Sequence, residues 1–448
     1  MTAAPRSDGG AGTGKASGLP ESCTRSWITY TGLVAFFACI FLLRDSGLTP
    51  ADQAAGAMAA AVLPIAAFDL LFLKVHRRPS TGLSWTALPA PDFGRLGTKL
   101  LGLIGTLGAV AGGYWILPEY HAAFYEPFWQ LLGFLGPWAL AAAIPYFAIV
   151  DRRMREPRDA YWHVGRLLIG RFGDADWAAL GEHARGWIIK GFFLPLMFVY
   201  LSDAITDLQA MEVLHAEVTF TRLYDFGWAL AFAVDLVFAA AGYVLTFRLI
   251  DAHLRSTEPT LFGWGVAIVC YEPFWSLASS QYLQYDDNLY WGLWLSGFPL
   301  LHAMWGTAIL FLVGVYAWAT VMFGCRFSNL THRGILTNGP YRYTKHPAYI
   351  AKNLSWWLIS IPFLSTDGAG EAIRNCLLLL AVNLLYWARA RTEENHLSWD
   401  PTYRAYAQWM NEHGMFRWVG RAIPALRYVP PLSRGSADRR GASPITGE

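Results

Sequence analysis

Residues 339–349 read Gly339-Pro340-Tyr341-Arg342-Tyr343-Thr344-Lys345-His346-Pro347-Ala348-Tyr349, between apolar runs at 294–323 and 353–366. A plain connecting loop beside a membrane requires none of these tyrosines, cations or histidine. Asn338-Gly339-Pro340 is turn chemistry and ends whatever precedes it. Pro347 removes a backbone donor and disfavours helix at His346. Residues 341–346 are therefore expected to be non-helical, with backbone groups free to meet a ligand. Irregular backbone at membrane depth is tolerated where it is buried in protein or lines a cavity. Lys345 and His346 suit a carboxylate, and Tyr341, Tyr343 and Tyr349 suit an aromatic base or a sulfonium. The plainer alternative is a cationic loop anchored to headgroups.

The next apolar pair, 353–366 and 371–388, is joined by Thr366-Asp367-Gly368-Ala369-Gly370 and reads as a helical hairpin. It closes on a second polar knot, Arg389-Ala390-Arg391-Thr392-Glu393-Glu394. Arg389, Glu393 and Leu397 are four apart and share a helix face, while Arg391 and Glu394 share another. Arg389 at the bilayer boundary suits an anionic substrate group, and a glutamate there suits hydroxyls or an amine. Alone, the segment would equally be a snorkelling, salt-bridged helix end. Together the two knots read as the two halves of one site.

Working outward, the 448 residues are 54% hydrophobic and only 15% charged, against about a quarter charged in a soluble domain. Further apolar runs fall near 27–43, 52–73, 99–117, 128–150, 187–203, 226–249 and 260–278. The fold expected is an all-α, polytopic transmembrane bundle of about ten spans. Four regions follow: a disordered tail over 1–26, an amino-terminal transmembrane region over 27–290, a membrane core over 291–430 and a disordered tail over 431–448. No signal peptide is expected, because the first apolar run has no obvious cleavage site. A net charge of +2 supplies no basic field to recruit nucleic acid. Cys23, Cys39, Cys270, Cys325 and Cys376 are scattered, which argues against a disulfide framework or a zinc site.

Lysines and arginines at 74–78, 152–158, 248–255 and 326–345 fall on one side of the ten-span arrangement, with Arg222 the exception. The positive-inside rule then places both termini and both polar knots in the cytosol. The loop over 151–186 mixes Tyr161, Trp162, Leu167 and Trp177 with many charges, as an interfacial helix pair or a solvated connection would. Tyr125-Glu126-Pro127-Phe128-Trp129 recurs as Tyr271-Glu272-Pro273-Phe274-Trp275, either a duplicated half-unit or a belt of aromatics at helix ends. Asp69, Asp235, Glu272 and His302 fall in or beside spans, where an ionisable group marks function or an interhelical contact.

The order His332, then Gly339 to Tyr349, then an apolar hairpin, then Arg389, Thr392-Glu393-Glu394, Tyr403 and Tyr406 resembles the isoprenylcysteine carboxyl methyltransferase family and the related phospholipid methyltransferases. The resemblance covers about residues 300–415. It implies a membrane methyltransferase that uses S-adenosylmethionine on a lipid or lipidated small molecule. It implies a cofactor pocket built by His332, Tyr341, Lys345, His346, Pro347 and Tyr349 and completed by Glu393 and Glu394. Arg389, with Glu394, would carry the catalytic role, Arg389 facing the substrate's anionic group. The family usually has arginine where Lys345 stands, a change that loses bidentate geometry. It commonly has glycine two residues after the motif tyrosine, where this chain has Ala351-Lys352.

Two other classes compete. A sterol-type reductase shares the hairpin and an R-H-P-x-Y motif but takes a nicotinamide cofactor. Its usual asparagine before the tyrosine and Arg-Asp-Glu helix end are here Ala348 and Thr392-Glu393-Glu394, which favours the methyltransferase. A transporter or non-catalytic scaffold would accommodate the extra spans but calls for a polar pathway across several of them.

Overall fold

The computed structural model describes residues 18–430 except 87, 212–217 and 288. The helices are α1 (Ser26–Leu43), α2 (Pro50–Leu71), α3 (Phe93–Ile116), α4 (Glu126–Asp151), α5 (Ala160–Leu168), α6 (Trp177–Ala210), α7 (Phe220–Val244), α8 (Leu261–Ile268), α9 (Phe274–Gln281), α10 (Trp291–Trp294), α11 (Pro299–Val321), α12 (Pro347–Ser360), α13 (Ala369–Leu397), α14 (Pro401–His413) and α15 (Arg417–Ala422). Eight of them, α1 to α4, α6, α7, α11 and α13, are long and apolar enough to cross a membrane. The protein is a polytopic all-α membrane protein. Its only sheet among the described residues is a two-residue ladder, β1 (Ser256–Thr257) against β2 (Thr331–His332).

Two of the ten expected spans take another form. The run at 260–278 is not one helix: α8 ends at Ile268, and α9 begins only after Tyr271-Glu272-Pro273, whose Glu272-Pro273 bond is cis. The second run, 353–366, is the fourteen-residue α12, which stops at Ser360 where Ile361 turns left-handed at φ 38°. The chain still passes ten times between the ends of the bundle. The β1–β2 pairing sets the end of α7 beside the end of α11, so α8 to α10 must carry the chain across between them. The 3.1 Å approach of His346 to Glu394 sets the start of α12 beside the end of α13, so α12 crosses too.

The central helices are α2, α6 and α7, whose buried faces meet through Ala57, Ala61, Ile65, Phe193, Leu201, Val237 and Phe238. The small residues on α2 and α7 let backbones approach closely, the usual basis of helix association in lipid. α5 lies against α3 at a closer distance still. A Cβ added to Gly102 would land on the Tyr161 carbonyl oxygen, and one added to Gly165 would land on that of Thr98. A charged cluster ties the same ends together: Lys99 Nζ lies 2.9 Å from Asp151 and 3.3 Å from Asp159, and Arg95 Nη2 lies 2.7 Å from Asp151. The region 151–186 thus holds α5, a short turn and the opening of α6, which continues unbroken to Ala210.

The two copies of Tyr-Glu-Pro-Phe-Trp sit in different settings. The first opens the long helix α4, with Tyr125 packed against Tyr120 and Phe124. The second separates α8 from α9. Residues 18–25, expected to belong to a disordered tail, run along residues 335–338. Cys23 N donates to the Ile335 carbonyl at 2.9 Å, Thr337 Oγ1 donates to the Pro20 carbonyl at 2.7 Å, and Thr24 Oγ1 donates to the Met322 carbonyl at 2.9 Å. These backbone and hydroxyl partners outweigh the segment's low hydrophobicity. Residues 1–17 and 431–448 lie outside the described residues.

Candidate active site

The loop between α11 and α12 is held from below by buried arginines. Arg333 donates to the carbonyls of Gly242 at 2.7 Å, Leu245 at 2.6 Å, Phe327 at 2.8 Å and Cys325 at 3.0 Å, and also to that of Ala252. One planar guanidinium therefore satisfies carbonyls at the end of α7 and fixes the strand that follows α11. Arg326 pairs with Asp69 at 3.2 Å and with the Asp251 and Ile250 carbonyls. Asp69 is thus an interhelical contact.

Over this platform Gly339 to Arg342 form a single 3-10 turn and α12 begins at Pro347; of the stretch 341–346 expected to be non-helical, 343–346 are so, while Tyr341 and Arg342 complete the 3-10 turn. Gly339 has φ +55°, and a Cβ there would meet the Met322 side chain at 2.5 Å. Only glycine lets the turn sit this close to α11. From above, Tyr406 on α14 donates to the Tyr341 carbonyl at 2.6 Å, and Met415 N donates to that of Tyr343 at 2.8 Å.

Turn, hairpin and α8 enclose a cavity of about 1010 Å³, counting the space open to solvent. Tyr341, Lys345, His346 and Tyr349 line it from the turn; Arg389, Thr392 and Glu393 line it from α13. The two polar knots do form two walls of one space. Tyr349 donates to Glu393 Oε2 at 2.9 Å, joining the walls directly. His346 stacks on Tyr349, ring centroids 5.5 Å apart.

Arg389 is 8% exposed and contacts no carboxylate among the described residues. Its Nη2 donates to Asn329 Oδ1 at 2.7 Å and to the Tyr271 hydroxyl at 3.2 Å. Its guanidinium lies 5.3 Å from the rings of both Tyr271 and Tyr349. Neutral acceptors and aromatic faces orient this charge without cancelling it. A buried cation in that state favours an anionic ligand.

Three expected site residues are placed behind the walls. Glu394 is not among the lining side chains. It is 3% exposed and gathers Lys345, His346 at 3.1 Å and Arg391 Nη1 at 2.7 Å, so its carboxylate fixes the residues that face the cavity. Helical spacing explains the division: Arg389 and Glu393 share the inner face, Arg391 and Glu394 the outer. His332 also lies outside, on β2, with Nε2 3.3 Å from Asp400 Oδ2. Burial opposes ionisation of Asp400, but the His332 contact and the Thr402 backbone N–H hold its pKa down at about 2. Pro347 is the buried first residue of α12 and does not reach the cavity. Burial lowers the pKa of Lys345, against the pull of Glu394. Tyr343 is 50% exposed and faces away.

Several lining residues come from outside both motifs. Tyr271 arrives from the break between α8 and α9, Asn329 from the strand after α11, Tyr316 and Thr320 from α11, Lys352 from α12 and Tyr386 from α13. Asp235 lies just behind: Tyr316 donates to its Oδ2 at 2.6 Å and Thr320 donates to its Oδ1. Amides lock the hairpin itself. Asn353 donates to the Tyr349 carbonyl at 2.7 Å, Asn383 to Asn353 at 2.6 Å, and Trp357 Nε1 to Asn383 at 2.8 Å.

A polytopic membrane protein with a cavity between a polar turn and the end of a helical hairpin is the class this geometry defines. Residues 300–399, from α11 to the end of α13, match the model of the isoprenylcysteine carboxyl methyltransferase (ICMT) family. The match bears out the resemblance read from Gly339–Tyr349 and Arg389–Glu394, and covers just under a quarter of the chain. Comparison with curated proteins and with solved structures gave no match.

Proposed function

We propose that the protein is an integral membrane methyltransferase that takes its methyl group from S-adenosylmethionine and delivers it to an anionic lipid or lipidated acceptor. The observation that carries this reading is Arg389: buried, held by Tyr271 and Asn329, and facing the cavity with no carboxylate against it. The family match over the same segment supports it.

S-Adenosylmethionine, when bound, supplies a methyl carbon activated by a sulfonium. Glu393, oriented by Tyr349, and the ring faces of Tyr341, His346 and Tyr349 are the groups suited to hold it. A carboxylate accepts from hydroxyls and amines, and aromatic faces attract a cation. Arg389 orients an ionised acceptor. Such an acceptor is already nucleophilic, so none of the residues has to remove a proton. Position and exclusion of water by the tyrosine lining supply the rate. Glu394 is assigned a positioning role, since it acts through Lys345 and His346. The cation-rich end of the bundle, with this cavity and both termini, is placed on the cytosolic side.

Calorimetric titration of the purified protein with S-adenosylmethionine, S-adenosylhomocysteine and NADPH tests the reading. Binding of both adenosyl ligands and none of NADPH is expected. NADPH binding without either adenosyl ligand would make it a reductase instead.

A further inference from the structure

Lys352 has no part in either sequence motif, yet its side chain lines the same cavity as Arg389. It sits five residues after Pro347 on α12, about 7 Å along the helix from its start. Its ammonium rests among three aromatic rings: 5.3 Å from Trp356, 5.6 Å from Tyr316 and 5.7 Å from Tyr386. Among the described residues no carboxylate comes within ion-pair reach, and no acceptor takes a hydrogen bond from it. Asp235, which accepts from Tyr316 and Thr320, acts on Lys352 only from a distance and makes no direct ion pair with it.

Arg389 shares one of the three rings, with its guanidinium 5.9 Å from Tyr386. Two cations with no carboxylate in direct contact therefore lie near a single tyrosine in a single cavity. The other cation of the wall, Lys345, is already paired with Glu394. Like charges that share one cavity away from bulk water repel, so an anion that reaches both is favoured there. Aromatic faces offset part of the loss but leave the donors of each cation unused.

The geometry points to an acceptor whose head carries two negative charges, one met by Arg389 and the other by Lys352. This rests on the methyltransferase reading for what the cavity does, and adds the chemical class of what it takes. The carboxylate to be methylated lies at Arg389, and Lys352 binds a second anionic group, carboxylate or phosphate. Lys352 is then a specificity-determining residue that selects against amine and monoanionic lipids.

The test is binding of soluble single-chain probes to the purified full-length protein in nanodiscs of neutral lipid. Laurate carries one carboxylate, 2-dodecylsuccinate two, and dodecyl phosphate a doubly charged phosphate; dodecylamine is the control. S-Adenosylhomocysteine is titrated on the same samples. The dianionic probes are expected to bind roughly tenfold or more tighter than laurate, and dodecylamine not to compete. Lys352→Met should abolish that preference while laurate still binds through Arg389, and Lys352→Arg should restore it. Equal affinity of the unaltered protein for laurate and both dianions would overturn the proposal, as would a preference that survives in Lys352→Met. Failure of S-adenosylhomocysteine to bind, with the dianion preference intact, would instead remove the methyltransferase reading and leave the dianion site standing.

Discussion

Glu393 and Glu394 are adjacent, yet they do different work, and substitution separates them. Glu394 pairs with Lys345 and Arg391 and contacts His346 while nearly excluded from solvent. Removing one partner of such a cluster costs about 3–5 kcal/mol, because the remaining charges stay buried. Glu394→Ala should therefore lower the unfolding temperature and weaken S-adenosylhomocysteine together. Glu393 makes one hydrogen bond, to Tyr349. Glu393→Gln should weaken the ligand while leaving thermal unfolding nearly unchanged. Equal loss of stability in both variants would mean that the inner and outer faces of α13 have been misassigned. Asp400 offers a titration at the same scale. Its pKa is held at about 2, below the ordinary aspartate value of about 3.9. A depressed carboxylate adds stability that is fully present above the unfolded value and lost as pH falls through the folded one. Unfolding followed from about pH 5 to pH 2 should show a loss that is smaller in Asp400→Asn.

The residues legible in the sequence were those whose chemistry is concentrated along the chain. Gly339 to Tyr349 and Arg389 to Glu394 stand out because polar groups there interrupt long apolar runs. Helical spacing alone separated Arg389 and Glu393 from Arg391 and Glu394. Tyr271 was concealed by an echo of Tyr125 that suggested repetition, and its position at a helix break appears only when α13 is brought beside it. Asn329 and Lys352 are single polar residues whose significance comes from a neighbour distant in the chain. His332 and Pro347 carried the family's pattern, but pattern does not say which way a side chain points.

Among the elements, α12 and α13 are joined by a chain of amides rather than by apolar contact alone. Asn383 is the middle link, donating to Asn353 and accepting from Trp357. Interhelical hydrogen bonds in membranes contribute about 0.6–2 kcal/mol each. Asn383→Leu should cost about that much in stability, read as a lower denaturation midpoint, and should loosen the hairpin enough to weaken cofactor binding. The α3–α5 contact tests packing without touching the site. Any side chain at Gly102 meets the Tyr161 carbonyl. Gly102→Leu should cost about 1–3 kcal/mol and expose 152–176 to protease, with S-adenosylhomocysteine affinity preserved. The expected span at 260–278 turned out to be two short helices, parted at 269–273. Composition alone did not reveal the break, since its flanks are as apolar as any span.

At the scale of the whole molecule, orientation is the property the proposed function most depends on. Asp367, between α12 and α13, and Arg421, on α15, lie at opposite ends of the bundle and both are exposed. Asp367→Cys should react with a membrane-impermeant maleimide on intact cells, and Arg421→Cys only after permeabilisation. The reverse pattern would put the cavity on the side without nucleotide-derived cofactors and remove S-adenosylmethionine as donor. The ten passes were legible because apolar length sets a crossing. What length does not give is which helices form the centre; that follows from small residues on α2 and α7 and is a matter of shape.

Residues 18–25 lie along 335–338, and Ser22, Thr24 and Ser26 all hydrogen-bond Asn338 next to the cavity turn. This has a bearing on order of synthesis. Residues 18–25 are synthesised long before residues 335–338 and wait, unpaired, until α1 to α11 have been made. The turn that shapes the cavity is thus closed by parts of the chain 316 residues apart. The segment that carries the family pattern is accordingly not a transplantable module: cut free at residue 300, it would lack both residues 18–25 and the Gly242, Leu245 and Ala252 carbonyls that Arg333 holds.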